Sequence, residues 1–483
     1  VPHIVLSMRF HQPLKSLLVI PIALCAAIGV LAVTESRAQS TPIVIEGGWM
    51  FNGDGMVRNP GLRVRSGKIM RVGNVEPAAA DRVIRLAEDE YVLPGFIDMH
   101  AHYAMDLFGA GRVEEHDAYP SLFLANGVTS TFTAGEMQPD EMRALRRAIE
   151  RGERRGPRIF NAGPYYGTAR PGWDTTKTVE TLQAEIDYWA EQGVRGIKVK
   201  RLGPRLLPAL IERAHQHGLT VTGHLGSGYG NTVNPRDAIT MGIDRVEHFL
   251  GGDQLPDSVS AYDSLVDAEP GTPAFRRITQ HFIDHHVFFD ATITAYGYYG
   301  DQEPAVFEDF AGAAQYFTPY MRQVIAERPP RDSYDRFETI YQLKHRRIKA
   351  FHDAGAGHLI TLGTDHPSWG QFLSPFSVHR ELHAFVRAGI PAVDALRFAT
   401  INGARALNVS DRLGSIDAGK WADLVVVQGN PLVDIRATRN VQWTMKAGDI
   451  YDAQALKDAA KGRIGPAGPE EEAAWKPRAN ASE

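Results

Sequence analysis

The amino-acid sequence predicts an α/β chain: a (β/α)8 barrel of the TIM type, with a small β-sandwich domain built from the N- and C-terminal segments. Three observations predict it. Through the middle of the chain, eight apolar, β-rich runs alternate with helical patterns, the signature of a parallel sheet with crossover helices. Both flanks carry short strand-like runs without helices between them. Histidines and an aspartate recur at the carboxyl ends of the middle runs, where barrel chemistry lies. The 483 residues suffice for one large barrel with an accessory domain.

At the N-terminus, Met8 opens a positive start that leads into an uncharged apolar run over 17–33 and then small residues at Ser36 and Ala38. This pattern predicts a secretory signal peptide over 1–38, cleaved after Ala38, with Val1 to Ser7 an upstream start before the Met. The run nears the length of a membrane-spanning helix, but cleavage would leave no stable membrane anchor. Cys25 lies in mid-run behind Leu24, which is not small, so a lipid attachment site is rejected. Cleavage removes Arg9, Lys15 and Arg37 against Glu35, taking the formal charge from −5 to −7, and leaves no cysteine. A thiol-free chain suits an oxidising compartment, so a periplasmic or secreted location is expected.

Residues 39–93 read as strands separated by Gly, Asn and Asp turns, and similar strands return over 410–452; together they form the expected sandwich domain. The barrel takes 94–409, with strands at 95–100, 128–134, 157–162, 196–200, 219–224, 243–248, 287–293 and 358–364. Two connections exceed ordinary barrel loops: 249–273, and a Tyr- and Phe-rich insertion over 294–336. Long loops of this kind are either lids or surface insertions. The polar, Pro/Glu/Ala-rich segment 453–483 is expected to be a flexible tail. A net charge of −5 without a long basic cluster excludes nucleic acid as the main partner. A lone cysteine excludes a cysteine zinc cluster.

The chemistry concentrates at strand ends. His100 and His102 stand two apart, and residues i and i+2 share one face of a strand, so both rings can reach one cation. His224 ends the fifth run, His248 the sixth, and Asp365 the eighth. Four histidines and a carboxylate make a hard N/O donor set suited to Zn²⁺ or a similar divalent ion. The fourth run adds Lys198 and Lys200. A protonated lysine beside cations is disfavoured, so salt bridging, exposure or conversion to an anionic carbamate must account for it, and strand parity does not choose between the two. His379 and His383 have helical i,i+4 spacing but lack the adjacent Glu of a zinc-binding His-Glu-x-x-His pattern, and are read as structural.

With LPGFIDMHAH, GTD, ELHAFVRAGIPAVDALRFATINGARAL and GSIDAGKWADLVVVQGNP in view, the chain resembles the amidohydrolase superfamily over about 42–452. The likeness is to its imidazolonepropionase-like and prolidase-type metal-dependent hydrolases. The resemblance implies two divalent metal ions, Zn first: His100, His102 and Asp365 hold one, His224 and His248 the other, and a carboxylated Lys198 bridges them. It implies hydrolysis of an amide, peptide or lactam C–N bond by a metal-bridging hydroxide, with Asp365 as general base and then acid. Prolidase-type relatives usually carry a Gly-Gly-His element after strand three, where this chain has NAGPYYGTARPGW; dipeptide specificity is therefore open. Tyr166 and Arg170 in that segment are candidate substrate contacts, and Tyr229 a candidate oxyanion donor. The expected partner is a small-molecule or short-peptide substrate, and a homo-oligomer is left open. Lactone or ester hydrolysis and deamination on the same metals are the competing activities, and an inactive barrel scaffold is the reading outside enzymes.

Overall fold

The computed structural model describes residues 41–264, 269–297, 311–327, 335–366 and 373–477. Five strands come first: β1 (Ile43–Phe51), β2 (Met56–Arg58), β3 (Leu62–Arg65), β4 (Lys68–Val72) and β5 (Arg82–Pro94). The barrel region holds β6 (Phe96–Asp98), β7 (Ala104–Met105), β8 (Val113–Glu114), β9 (Val128–Phe132), β10 (Arg158–Phe160), β11 (Tyr165–Tyr166), β12 (Gly196–Lys200), β13 (Thr220–His224), β14 (Arg245–Glu247), β15 (Phe288–Asp290) and β16 (Ile360–Thr361). The chain then returns through β17 (Leu424–Gln428), β18 (Val441–Lys446) and β19 (Asp449–Asp452).

The terminal segments combine as expected, because β17 pairs antiparallel with β5 and joins everything into one eight-stranded sheet of order β19-β18-β17-β5-β1-β3-β4, with β2 beside β1. The expected sandwich is thus hydrogen-bonded as a single sheet that curls on itself. Its far turns meet: the amide of Ala422 donates to Gly67 O, and that of Ile69 to Lys420 O. Strand alternation feeds two cores. Leu424 and Val426 of β17 pack with Ile45, Leu62 and Val92 inside the sheet domain, while Val425 and Val427 point the other way into the barrel-side core. Both faces being covered, β17 has to be a continuous apolar run.

All eight predicted barrel strands are present among the described residues: β6, β9, β10, β12, β13, β14, β15 and β16. Their pairings are parallel. Backbone hydrogen bonds close the remaining seams, Arg195 N to Asn161 O between β10 and β12, and Met99 N to Leu362 O with Asp365 N to His100 O between the first and eighth strands. Amphipathic helices such as Pro139–Glu150 and Val179–Glu191 form the outer layer, the second opened by a Thr178–Thr181 capping box.

The segment expected as a flexible tail is instead folded as far as residue 477. Asp452 caps helix Ala453–Ala460, whose Leu456 packs on Leu124 and Ala125 of a barrel helix. Ile464 is fully buried and exchanges backbone hydrogen bonds with Tyr316 and Thr318. Apolar residues spaced at 456, 460 and 464 within a polar composition carry this packing, which an averaged composition conceals. The signal segment 1–38, residues 298–310 and 328–334 of the long insertion and residues 478–483 lie outside the described residues. Among the described residues no helix is long and apolar enough to cross a membrane.

Glu136, buried at the barrel mouth, accepts hydrogen bonds from Thr133 Oγ1 and Asn161 Nδ2. Burial pushes its pKa up to about 8, against those two bonds. A folded-state pKa above the unfolded value contributes stability that is complete below the unfolded pKa and is lost as pH rises through the folded one. The urea midpoint should therefore fall between about pH 5 and about pH 8, and Glu136→Gln, which keeps the acceptor oxygen, should flatten that fall. Parallel pH profiles of the two proteins would contradict this.

Candidate metal centre

The site is assembled just past the strand ends. Asp98, the last residue of β6, accepts from the backbone amides of His100 and Thr364 at 3.0 and 3.1 Å and from Thr364 Oγ1 at 2.8 Å. The amide of Asp365 donates to His100 O at 2.9 Å. These bonds lock the first strand end against the eighth. As a result His102 Nε2 lies 2.8 Å, and His100 Nε2 3.2 Å, from Asp365 Oδ1.

His248 follows β14 with φ +70, Thr292 follows β15 with φ +46, and Asp365 has φ +41. Left-handed backbone at non-glycine residues stores strain, and its clustering around one site is a mark of function. At His248 it also breaks strand alternation, so that Glu247 and His248, adjacent in sequence, both face the centre. His248 Nε2 lies 3.7 Å from Asp365 Oδ2 and also 3.7 Å from Glu247 Oε2, and its Nδ1 is 2.7 Å from Thr292 Oγ1. The Lys344 ammonium, itself buried, donates to the carbonyls of His248 and Ala291 and so holds this turn from outside.

Lys198 is fully buried, with its ammonium on Glu247 Oε2 and 3.4 Å from His100 Nε2. Glu247 also accepts from Thr222 Oγ1 at 2.9 Å, and its Oε1 stands 3.6 Å from His100 Nδ1. Asp290 Oδ2 is 3.3 Å from the same Nδ1. Gly363 is required here: a Cβ at that position would fall 2.2 Å from both Asp290 carboxylate oxygens. His224 meets His248 edge-on with ring centroids 4.3 Å apart, but its Nε2 bonds the Tyr262 hydroxyl at 3.1 Å.

The structure thus brings His100, His102, Lys198, His248 and Asp365 together, with His224 at their edge. Sequence reading missed Glu247 and Asp290, although both lie in predicted strands. A carboxylate on a strand buried on both faces was the available signal.

The three candidate substrate residues are placed elsewhere. Tyr166 pairs with Val199, on the face of the sheet opposite Lys198, and packs its ring against Trp173. Cross-strand partners share a face, so Tyr165, paired with Lys198, is the tyrosine that points inward, with the Lys200 ammonium 5.7 Å above its ring. Arg170 is held by Glu185, which also takes Lys177 at 3.1 Å. Its charge is spent on an outer helix. Tyr229 is 52% exposed, in a short 3-10 turn, and the tyrosine on a site histidine is Tyr262.

Electrostatics keep three of the four imidazoles neutral, as metal ligands must be, while the fourth, His100, is drawn toward its protonated form by the surrounding carboxylates. Burial holds His224 and His248 well below the usual histidine range, and lowers His102 to about 4 despite the pull of Asp365. At His100 burial is outweighed by Glu247 and Asp365, with Asp290, and the pKa rises to about 9. Asp365 stays well below the carboxylate range, because His100 and His102 overcome its burial. The residues fit divalent metal. His100, His102 and Asp365 form one compact ligand group and His100, Glu247 and His248 another, and His248 Nε2 is a buried ring nitrogen without a hydrogen-bond partner.

Glu247→Gln would leave the Lys198 ammonium buried without its counter-charge. Removal of a partner that orients metal ligands costs roughly 10–100-fold in metal affinity, so the variant should retain less metal by elemental mass spectrometry and bind added Zn²⁺ correspondingly more weakly. Unchanged affinity would remove Glu247 from the site.

The solved structures most like this chain include a Xaa-Pro dipeptidase with bound methionine, at 21% identity and TM-score 0.63, covering 85% of this chain and 100% of that one. Molinate hydrolase aligns with TM-score 0.65 and 19% identity over 88% of this chain and 96% of its own. At these identities the likeness establishes the fold. Among curated proteins, 75 residues are 37% identical to the 5-methylthioadenosine/S-adenosylhomocysteine deaminase of Thermoanaerobacter pseudethanolicus, 14% of this chain and 17% of that enzyme. A further 67 residues are 46% identical to the adenine deaminase of Klebsiella pneumoniae, 14% of this chain and 11% of that one. This chain therefore spans less than a fifth of either curated relative. The amidohydrolase family model, by contrast, matches residues 91–451, from β5 to β19, and the chain belongs to the amidohydrolase family.

Proposed function

We propose that this chain is an exported, metal-dependent hydrolase of an amide, peptide or lactam C–N bond, working through two divalent ions, Zn first. His100, His102 and Asp365 would hold one ion, His224 and His248 the other, with a carboxylated Lys198 between them. The observation that carries the reading is the convergence of three buried imidazoles (His100, His102 and His248), the half-buried His224 and Asp365 at the carboxyl ends of four barrel strands. Bound ions of this kind acidify water and polarise a carbonyl.

The protein's own groups supply the rest. Asp365, low in pKa and bonded through Oδ1 to His102, has Oδ2 available to take a proton from the attacking water and return it to the departing nitrogen. Tyr262 takes the role expected of Tyr229: its hydroxyl, linked to Tyr296 Oη at 3.0 Å, is the donor placed to meet the developing oxyanion. Lys198 pairs with Glu247 as an ammonium. As a carbamate it would repel Glu247, so carboxylation and metal loading would proceed together. A small-molecule or short-peptide substrate is the expected partner.

Deamination is the second reading, favoured by the two curated deaminases. A panel of paired amide, ester and aminopurine substrates, scored for ammonia and amine release, separates the activities. Metal content measured on protein beginning at Gln39 and purified without chelator should approach two ions per chain; one ion would remove the carbamate bridge. Asp365→Asn should lower kcat by about 10²–10⁴-fold, the usual worth of a positioned acid–base group, more than it lowers metal content. Near-normal turnover in that variant would sink the assignment.

A further inference from the structure

Two tyrosines from separate connections meet beside His224. Tyr262 lies in the short helix Ala261–Ser264 that follows β14, and Tyr296 in the helix Ile293–Gly297 that follows β15. Their hydroxyls are 3.0 Å apart, and Tyr262 Oη is also 3.1 Å from His224 Nε2. Aromatic rings enclose the pair: Phe337 stacks on Tyr296 at 5.6 Å between centroids, and Phe249 stands 5.5 Å from Tyr262 and 5.9 Å from Tyr296. The buried Lys344 ammonium, which holds the His248 turn, lies 4.6 Å from the Tyr296 ring centre.

One proton on each of Tyr262, Tyr296 and His224 has to be placed, and the surroundings leave one arrangement. Tyr296 is 3% exposed, and among the described residues its hydroxyl bonds Tyr262 alone. If Tyr262 donated to it, the Tyr296 proton would face aromatic carbon without an acceptor, and a buried hydrogen bond left unmade is costly. Tyr296 therefore donates and Tyr262 accepts. A histidine that binds a metal through one ring nitrogen carries its hydrogen on the other. His224 Nε2 is engaged by Tyr262, so Nδ1, which makes no hydrogen bond among the described residues, is the nitrogen left for an ion, and Nε2–H is a second donor to Tyr262 Oη. With both lone pairs of that oxygen filled, the Tyr262 proton has no acceptor among the described residues. Tyr262 is half-buried, which leaves its proton free to point to the open side of the site.

We propose that Tyr296 is a positioning residue: together with His224 Nε2–H it fills both lone pairs of Tyr262 Oη, and so fixes the Tyr262 O–H outward, ready for a tetrahedral oxyanion. This rests on the reading of Tyr262 as oxyanion donor and of His224 as a metal ligand, and adds that the donor's direction is set by a residue outside the reacting centre. A donor already aimed costs no reorganisation when charge develops. The Lys344 ammonium at the Tyr296 ring holds that ring in place.

The test is calorimetric titration of the zinc-loaded protein with methylphosphonate, a tetrahedral anion, and with acetate, a planar one. Tyr262→Phe should weaken methylphosphonate by about 10²-fold, the lower end of what an oxyanion donor contributes. Tyr296→Phe deletes one hydroxyl at nearly constant volume and leaves Tyr262 its proton without the fixed direction. It should weaken methylphosphonate by about 10-fold, with acetate affinity and zinc content unchanged. Circular dichroism checks that both variants are folded. Methylphosphonate affinity kept in Tyr296→Phe but lost in Tyr262→Phe overturns the positioning role alone; affinity kept in both overturns the oxyanion reading of Tyr262 with it. Equal loss of methylphosphonate and acetate in Tyr296→Phe would make the residue a packing element and overturn the proposal, as would no saturable methylphosphonate binding to the unaltered protein up to about 5 mM.

Discussion

The functional centre depends on one buried carboxylate. Asp98 accepts three hydrogen bonds, one from its own strand end and two from Thr364, and so clamps the first barrel strand to the eighth. Hydrogen bonds to an ionised group contribute about 1.5–3 kcal/mol each, while an unpaired carboxylate in the same place would be costly. Burial pushes Asp98 up to about 6, against the bonds from His100 and Thr364. The clamp therefore serves closure of the barrel and placement of ligands at once. Without it, His102 and Asp365, 263 residues apart, have no reason to stand 2.8 Å from each other.

Around this seam the protein concentrates groups that a folding core would ordinarily exclude. Lys198, Glu247, Asp290 and three of the site histidines are buried, and three non-glycine residues beside them hold left-handed backbone. Such an arrangement persists because the surroundings over-determine it. The Lys344 ammonium on two carbonyls and the Glu381 carboxylate on the amides of Ile293 and Thr294 both brace the turns after β14 and β15 from behind. The sheet domain and the folded C-terminal segment brace the barrel elsewhere.

Much of this was legible in the sequence, for identifiable reasons. Eight β-rich runs spaced by amphipathic helices leave few architectures open, and His-x-His at one strand end with Asp365 at another anticipates their meeting. Tyr166, Arg170 and Tyr229 stand apart from the metal-ligand cluster, because neighbourhood along a loop does not fix which way a side chain faces. The register that pairs Tyr165 with Lys198 shows that Tyr166 points away, and Arg170 finds an acidic partner 15 residues on. The C-terminal segment was misjudged on composition, which averages away the few apolar residues that dock it.

By itself the sequence determined the barrel, the flanking β segments and the residue types at each strand end, since hydrophobic periodicity and strand parity are local properties. Tertiary structure alone decided that Glu247 shares the centre with His248, that Tyr262 rather than Tyr229 meets His224, and that Asp290 sits against Gly363. Those outcomes depend on a left-handed φ at one residue, on a loop returning from 38 positions away, and on the absence of one Cβ. None of them is a property of the residues that surround it in sequence.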